Sequence, residues 1–195
     1  MTGPGAMVSN HVSWLDCFAL NAGGPLYFVS KSEVGSWPGI GWLAHATGTV
    51  FIRRNPRDAQ KQRSIFEDRL RAGHRLLFFP EGTSTDGRRV LDFKSTLFAA
   101  FFINDFRHDM AIQPIALRYV APPGAPPTFY GWWGDMAFGP HLLDVLSAKA
   151  GGQVEVIYHE PLPVAAMANR KTLAQVATET VRKAISASAE PRTET

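Results

Sequence analysis

Short apolar runs alternate with stretches of helical spacing along this 195-residue chain. Leu26-Tyr27-Phe28-Val29-Ser30, Thr49-Val50-Phe51-Ile52 and Arg75-Leu76-Leu77-Phe78-Phe79 are each too short for a helix. Bounded by turn formers and rich in β-branched and aromatic residues, they predict buried strands. Ile112 to Val120 and Val154 to Tyr158 predict two more, and Ala6-Met7-Val8 predicts the end of another. Pro114 points to an edge strand or a strand start, because proline cannot donate to a ladder. A helix is predicted from Ser13 to about Asn21, where Gly23-Gly24-Pro25 stops it, and a short one from Ile40 to His45. Asn55-Pro56 opens a third, closed by Gly73, with Ala59, Gln62, Ile65, Phe66 and Leu70 inward. Phe93 to Phe102 reads as a buried or membrane-facing helix. The last helix opens at Asn169 and buries Leu173, Val176, Ala177, Val181 and Ile185. Ala121 to Leu143 has no clear period and is predicted to be irregular.

Strands alternating with helices predict a single α/β domain over residues 1–189, with 190–195 a frayed polar tail. In such sheets functional loops sit at the carboxyl ends of the strands. Arg53-Arg54 and the Pro80–Gly87 loop both occupy such ends. The chain opens almost at its first polar motif, so an upstream segment is expected to be missing.

Composition narrows the class. Hydrophobic residues at 45% and charged residues at 19% describe a globular chain. The net charge of +3 hides a basic excess between Arg53 and Arg89, suited to nucleic acid, anionic lipid or a phosphorylated substrate. No RNA-binding or helix-turn-helix pattern accompanies it, which argues against nucleic acid. Cys17 is the single cysteine, so no internal disulfide forms; small apolar packing is its ordinary role, a thiol nucleophile the sharper one. The longest apolar run, Leu97 to Ile103, is too short to span a bilayer, and the N-terminus has no secretion-signal pattern. Thirteen Phe and five Trp still leave aromatic residues for a membrane interface.

The candidate chemistry begins at Asn10-His11-Val12-Ser13-Trp14-Leu15-Asp16. In a regular helix, residues five apart point about 140° away from each other. His11 and Asp16 can therefore meet only if His11 lies in the turn before the helix. There the carboxylate would accept the Nδ1–H and leave Nε2 free to take a proton. A bland reading stands beside it: Ser13-x-x-Asp16 also fits a capping box. Gly39-Ile40-Gly41 resembles part of a dinucleotide fingerprint, with Arg53-Arg54 available for a 2′-phosphate, but it starts too far past its strand. Gly82 to Gly87 has phosphate-loop spacing, yet Arg88-Arg89 replaces Lys-Ser/Thr. No Gly-x-Ser-x-Gly elbow and no His/Cys cluster of metal-ligand spacing is present.

Four motifs in order carry a resemblance: Asn10-His11 with Asp16, Gly48 to Arg54, Phe79-Pro80-Glu81-Gly82-Thr83, and Gln113-Pro114-Ile115. Over roughly residues 7–120 the chain resembles the glycerolipid and lysophospholipid acyltransferases of the 1-acylglycerol-3-phosphate type. The resemblance implies a single glycerol-3-phosphate-acyltransferase-like domain, a mixed sheet flanked by helices, on the cytoplasmic face of the membrane. It implies His11 as general base and Asp16 as its orienting partner. Arg54 would hold the acceptor's anionic group, and Glu81, Gly82 and Thr83 would shape the acceptor site. The plain alternatives are a surface arginine and a helix-start acid. The partners implied are a lysolipid acceptor, an acyl-CoA or acyl carrier protein thioester as co-substrate, and a membrane surface, with no resident cofactor. Many members have arginine after Glu-Gly-Thr, where this chain has Ser84. Glu81-Gly82-Thr83-Ser84-x-Asp86-Gly87, Asp92-Phe93-Lys94-Ser95 and Trp132-Trp133-Gly134-Asp135-Met136 look more like bacterial lyso-ornithine lipid acyltransferases. Two other readings fit the same residues: a non-catalytic lipid-binding protein on a truncated fold, and an NADP-binding oxidoreductase.

Overall fold

The computed structural model describes residues 5–37, 40–46, 48–52, 68–102 and 107–187. At its centre lies β1 (Gly5–Ser9), all five residues buried. Alternation sends Ala6 and Val8 into one apolar cluster and Met7 into another, so both faces of the sheet are covered. What reads in sequence as a strand end is thus a full strand, its short unbroken apolar run being what a central parallel strand requires.

Around it stand β2 (Tyr27–Lys31), β3 (Val50–Ile52), β4 (Leu76–Phe78), β5 (Ala111–Val120), β6 (Gln153–Tyr158) and β7 (Leu162–Pro163). The order is β3-β2-β4-β1-β5-β6, with β7 also on β5. β1 to β5 pair in parallel; β6 and β7 run antiparallel to β5, making the sheet mixed. The order sets β4 and β5 on either side of β1. Loops leaving β1 and β4 therefore emerge side by side, and β5, twice the length of β1, overhangs its carboxyl end.

Helices cover the faces. They are α1 (Asp16–Asn21), α2 (Ile40–Ala46), α3 (Phe138–Ser147) and α4 (Arg170–Ala187), with a 3-10 helix over Ser95–Phe102. Asn169 caps α4, its Oδ1 accepting the N–H groups of Lys171 (2.8 Å) and Thr172 (3.1 Å). Leu173, Ala177 and Val181 from α4 meet Phe98 and Phe101 of the 3-10 helix in the core. Phe93 to Phe102 therefore contributes inward aromatic rings, the buried one of its two expected roles. Gly41 allows close packing: a Cβ there would drive into the carbonyl oxygen of Gly35. Of the helix expected from Asn55 to Ala72, the turn at 68–71 is helical and 53–67 lie outside the described residues.

Two expectations are corrected. Pro114 does not mark an edge or a strand start, since β5 lies between β1 and the β6–β7 pair. In a strand, the nitrogen and carbonyl of one residue face the same neighbour. Pro114's carbonyl accepts from His159 N (3.0 Å), so its nitrogen faces the interval between Tyr158, where β6 ends, and Leu162, where β7 begins. The missing donor falls in a gap of the ladder. The stretch 121–143 is not irregular throughout, because α3 starts at Phe138. Gly139 and Pro140 mask its period, yet a proline in the first turn costs no helical hydrogen bond.

Asn10 extends β1 beyond its last residue. Its fully buried side-chain amide donates to Leu117 O (2.9 Å) and accepts from Leu117 N (2.8 Å), imitating one more rung toward β5. Asn10→Ala strands both backbone groups. Loss of about 2–6 kcal/mol is expected, at 1–3 per unsatisfied group, and chemical denaturation checks it.

Candidate active site

The turn between β1 and α1 has its backbone held by four residues outside it, Glu81, Thr85, Trp132 and Asp16. His11 N donates to Glu81 Oε1 (2.7 Å), and Thr85 N donates to His11 O (2.9 Å). Val12 O accepts from Trp132 N (2.9 Å). Asp16 sits at the first position of α1 with no exposed surface, and its Oδ2 accepts Val12 N (2.8 Å) and Ser13 N (3.1 Å). The capping-box reading is thus half fulfilled: Asp16 reaches back to the Ser13 N–H, while the buried Ser13 hydroxyl has no partner among the described residues. The same Oδ2 lies 2.7 Å from His11 Nδ1. An ionised carboxylate can only accept, so the proton of a neutral His11 resides on Nδ1 and Nε2 is the basic atom. Nε2 has no hydrogen-bond partner among the described residues, and the side chain keeps 24% of its surface exposed. Its ring stacks on Phe79 at 4.1 Å and 16°, which fixes the plane in which Nε2 points.

From the other side comes the loop after β4. Glu81 is buried; its two oxygens accept His11 N and Leu91 N, each at 2.7 Å. Burial pushes its carboxyl above the ordinary glutamate range, against the opposing pull of those N–H groups. Its side chain therefore braces the backbone of His11 against that of Leu91. Gly82 turns the chain with φ +74°, a value that favours glycine, and donates to Phe79 O (3.1 Å). Lys94 is laid across it, so that a Cβ at Gly82 would lie 2.5 Å from Nζ. Thr83 is exposed at the tip of the turn.

The structure thus brings His11, Asp16 and Glu81 together by direct hydrogen bonds, with Gly82 and Thr83 next in the same loop. Arg54, with Arg53 and Gly39, lies outside the described residues. Burial, with the charge of Asp16 beside it, pushes the Cys17 thiol up to about 12, which disfavours the thiolate a nucleophile needs. Sequence reasoning missed Tyr119, whose hydroxyl donates to Asp16 Oδ1 (2.9 Å) from the overhanging end of β5. Nothing local to Tyr119 signals it. The Trp132 to Met136 motif gains a place: besides the Trp132–Val12 bond, Trp14 Nε1 donates to His141 Nδ1 (3.0 Å) on α3. Trp14, Phe18, Trp132 and Phe138 form edge-on ring pairs around that seam.

A histidine held by a buried carboxylate, at the carboxyl edge of a mixed sheet, is an arrangement that can take up a proton at Nε2. The chain belongs to the Acyltransferase family, whose model matches residues 2–118. It is 58% identical over 178 residues to a lyso-ornithine lipid O-acyltransferase of Rhodobacter capsulatus, covering 91% of this chain and 64% of that protein. The chain thus spans just under two thirds of the length of that relative. A protein of the same name from Brucella abortus is 39% identical, with 92% and 70% covered. A 1-acyl-sn-glycerol-3-phosphate acyltransferase of Neisseria gonorrhoeae is 39% identical over 114 residues, 58% of this chain and 43% of that one. The fold matches the crystal structure of the 1-acyl-sn-glycerophosphate (LPA) acyltransferase PlsC from Thermotoga maritima. The TM-score there is 0.65 at 19% identity, with 100% of this chain and 70% of that one covered.

Proposed function

We propose that the protein moves an acyl group from a thioester to the free hydroxyl of a lysolipid. The observation that carries this reading is the His11 Nδ1–Asp16 Oδ2 contact, which leaves Nε2 as the basic nitrogen of a partly exposed ring. The acceptor hydroxyl gives its proton to Nε2 as its oxygen attacks the thioester carbon. Asp16 steadies the imidazolium, and collapse of the tetrahedral adduct expels a thiolate that takes the proton back from Nε2. The chain needs no resident cofactor for these steps; the thioester of coenzyme A or acyl carrier protein enters as co-substrate.

The names of the relatives favour a lyso-ornithine lipid over lysophosphatidate as acceptor. Ser84 supports the same choice, since one cation for a phosphate is lacking there. Lys94, folded over Gly82, supplies a single positive charge beside the turn and suits a carboxylate headgroup. Arg54 is the second cation proposed for the acceptor. A membrane surface is the proposed working place, on its cytoplasmic side. No helix among the described residues is long and apolar enough to cross a bilayer. Yet Trp42 (76%), Leu143 (66%) and Leu146 (71%) are exposed, as a lipid-facing surface requires.

The test offers purified protein both acceptors in vesicles, each with labelled acyl-CoA or acyl carrier protein thioester. Labelled diacyl product from lyso-ornithine lipid, at least tenfold above that from lysophosphatidate, is the expected result. Vesicle binding with no product from either would return the protein to the non-catalytic, lipid-binding reading.

A further inference from the structure

We infer that Tyr119 is a positioning residue of the site, completing a relay that runs from its hydroxyl through Asp16 to His11. This inference rests on the acyl-transfer reading for its kinetic consequences, but not for its structural ones. The carboxylate of Asp16 divides its duties. Oδ2 accepts from His11 Nδ1, Val12 N and Ser13 N, while Oδ1 accepts from Tyr119. Three donors crowd one oxygen, and without an anchor on the other the carboxylate can turn about its Cβ–Cγ bond away from the histidine. The Tyr119 hydroxyl supplies that anchor from a different element.

The anchor is rigid. Tyr119 lies in β5, where it pairs with Val154 of β6, and its ring meets Tyr130 at 5.7 Å. The reach depends on the sheet: β1 ends opposite Ile115, the Asn10 amide spans to Leu117, and the next strand position carries an arginine before Tyr119. Burial and the neighbouring Asp16 charge hold the phenol proton in place, so the hydroxyl serves as donor. Among the described residues, the other titratable groups around the relay are Glu81, on the far side of His11, Cys17, next to Asp16 in α1, and Tyr130, against the Tyr119 ring.

A donor on Oδ1 also draws charge away from Oδ2. Removing it leaves the carboxylate free to stabilise the imidazolium more strongly, while the imidazole loses its fixed orientation. Tyr119→Phe, which keeps the ring and its packing, separates the two effects from simple misfolding. The expected results are a fall in kcat of about tenfold with KM unchanged, and an acid limb of kcat/KM displaced upward. Imidazole resonances of His11, followed by NMR across pH, are expected to move in the same direction in the same variant. Tyr119→Leu serves as the packing control, with greater loss of thermal stability. An unchanged pH profile and unchanged His11 titration in a folded Tyr119→Phe protein would overturn the inference. Failure of the parent protein to transfer acyl groups would instead overturn the functional reading, because the NMR titration needs no turnover.

Discussion

His11→Ala is expected to remove turnover while leaving the fold in place. A positioned general base is worth about 10² to 10⁴ in rate, and no other group at this turn can replace it. Cys17 keeps its proton, and Glu81 has both oxygens engaged by backbone N–H groups. The backbone clamps on the turn do not involve the imidazole, so circular dichroism and the unfolding midpoint should stay near those of the parent. A His11→Ala protein that acylates at more than about a tenth of the parent rate would show that the hydroxyl is activated elsewhere.

Asp16→Asn is expected to cost about 10² to 10⁴ in kcat as well, but for a different reason. An asparagine in this position has one favourable orientation. Its carbonyl must occupy the Oδ2 site, because Val12 N, Ser13 N and His11 Nδ1 all donate there. The amide nitrogen then faces the Tyr119 hydroxyl, which can reverse its role and accept. The tautomer of His11 survives, and what disappears is the negative charge that steadies the imidazolium. The defect should therefore lie in kcat with binding of acceptor retained, measured by steady-state kinetics beside equilibrium binding of the lysolipid. Parent-like kcat in a folded Asp16→Asn protein would show that the charge plays no part.

Much of this was legible in local spacing. The strands announce themselves as short apolar runs, Asn169 marks the start of α4, and the five-residue separation of His11 and Asp16 demands a turn before a helix. The parts that were not legible depend on partners far along the chain. Tyr119 meets Asp16 across 103 positions, and Asn10 meets Leu117 across 107. No periodicity can show such pairs; they follow from β5 outrunning β1. Glu81 could be placed in the right loop, but its turning inward to hold the His11 backbone is a matter of packing. Pro114 misled because the rule for prolines in sheets assumes an unbroken neighbour, and here the neighbour is broken opposite it. Gly139 and Pro140 hid α3 because both are poor helix formers away from a helix start.

The turn that carries His11 has a consequence for how the protein acquires activity. Its N–H and C=O groups are claimed by Glu81, Thr85 and Trp132, and its carboxylate by Tyr119, so segments spread over more than half the chain must all have arrived before the imidazole is aimed. Recovered turnover should accordingly be the last signal to return on refolding, trailing helix content, and chains cut short of Trp132 should bind ligand poorly and never turn over.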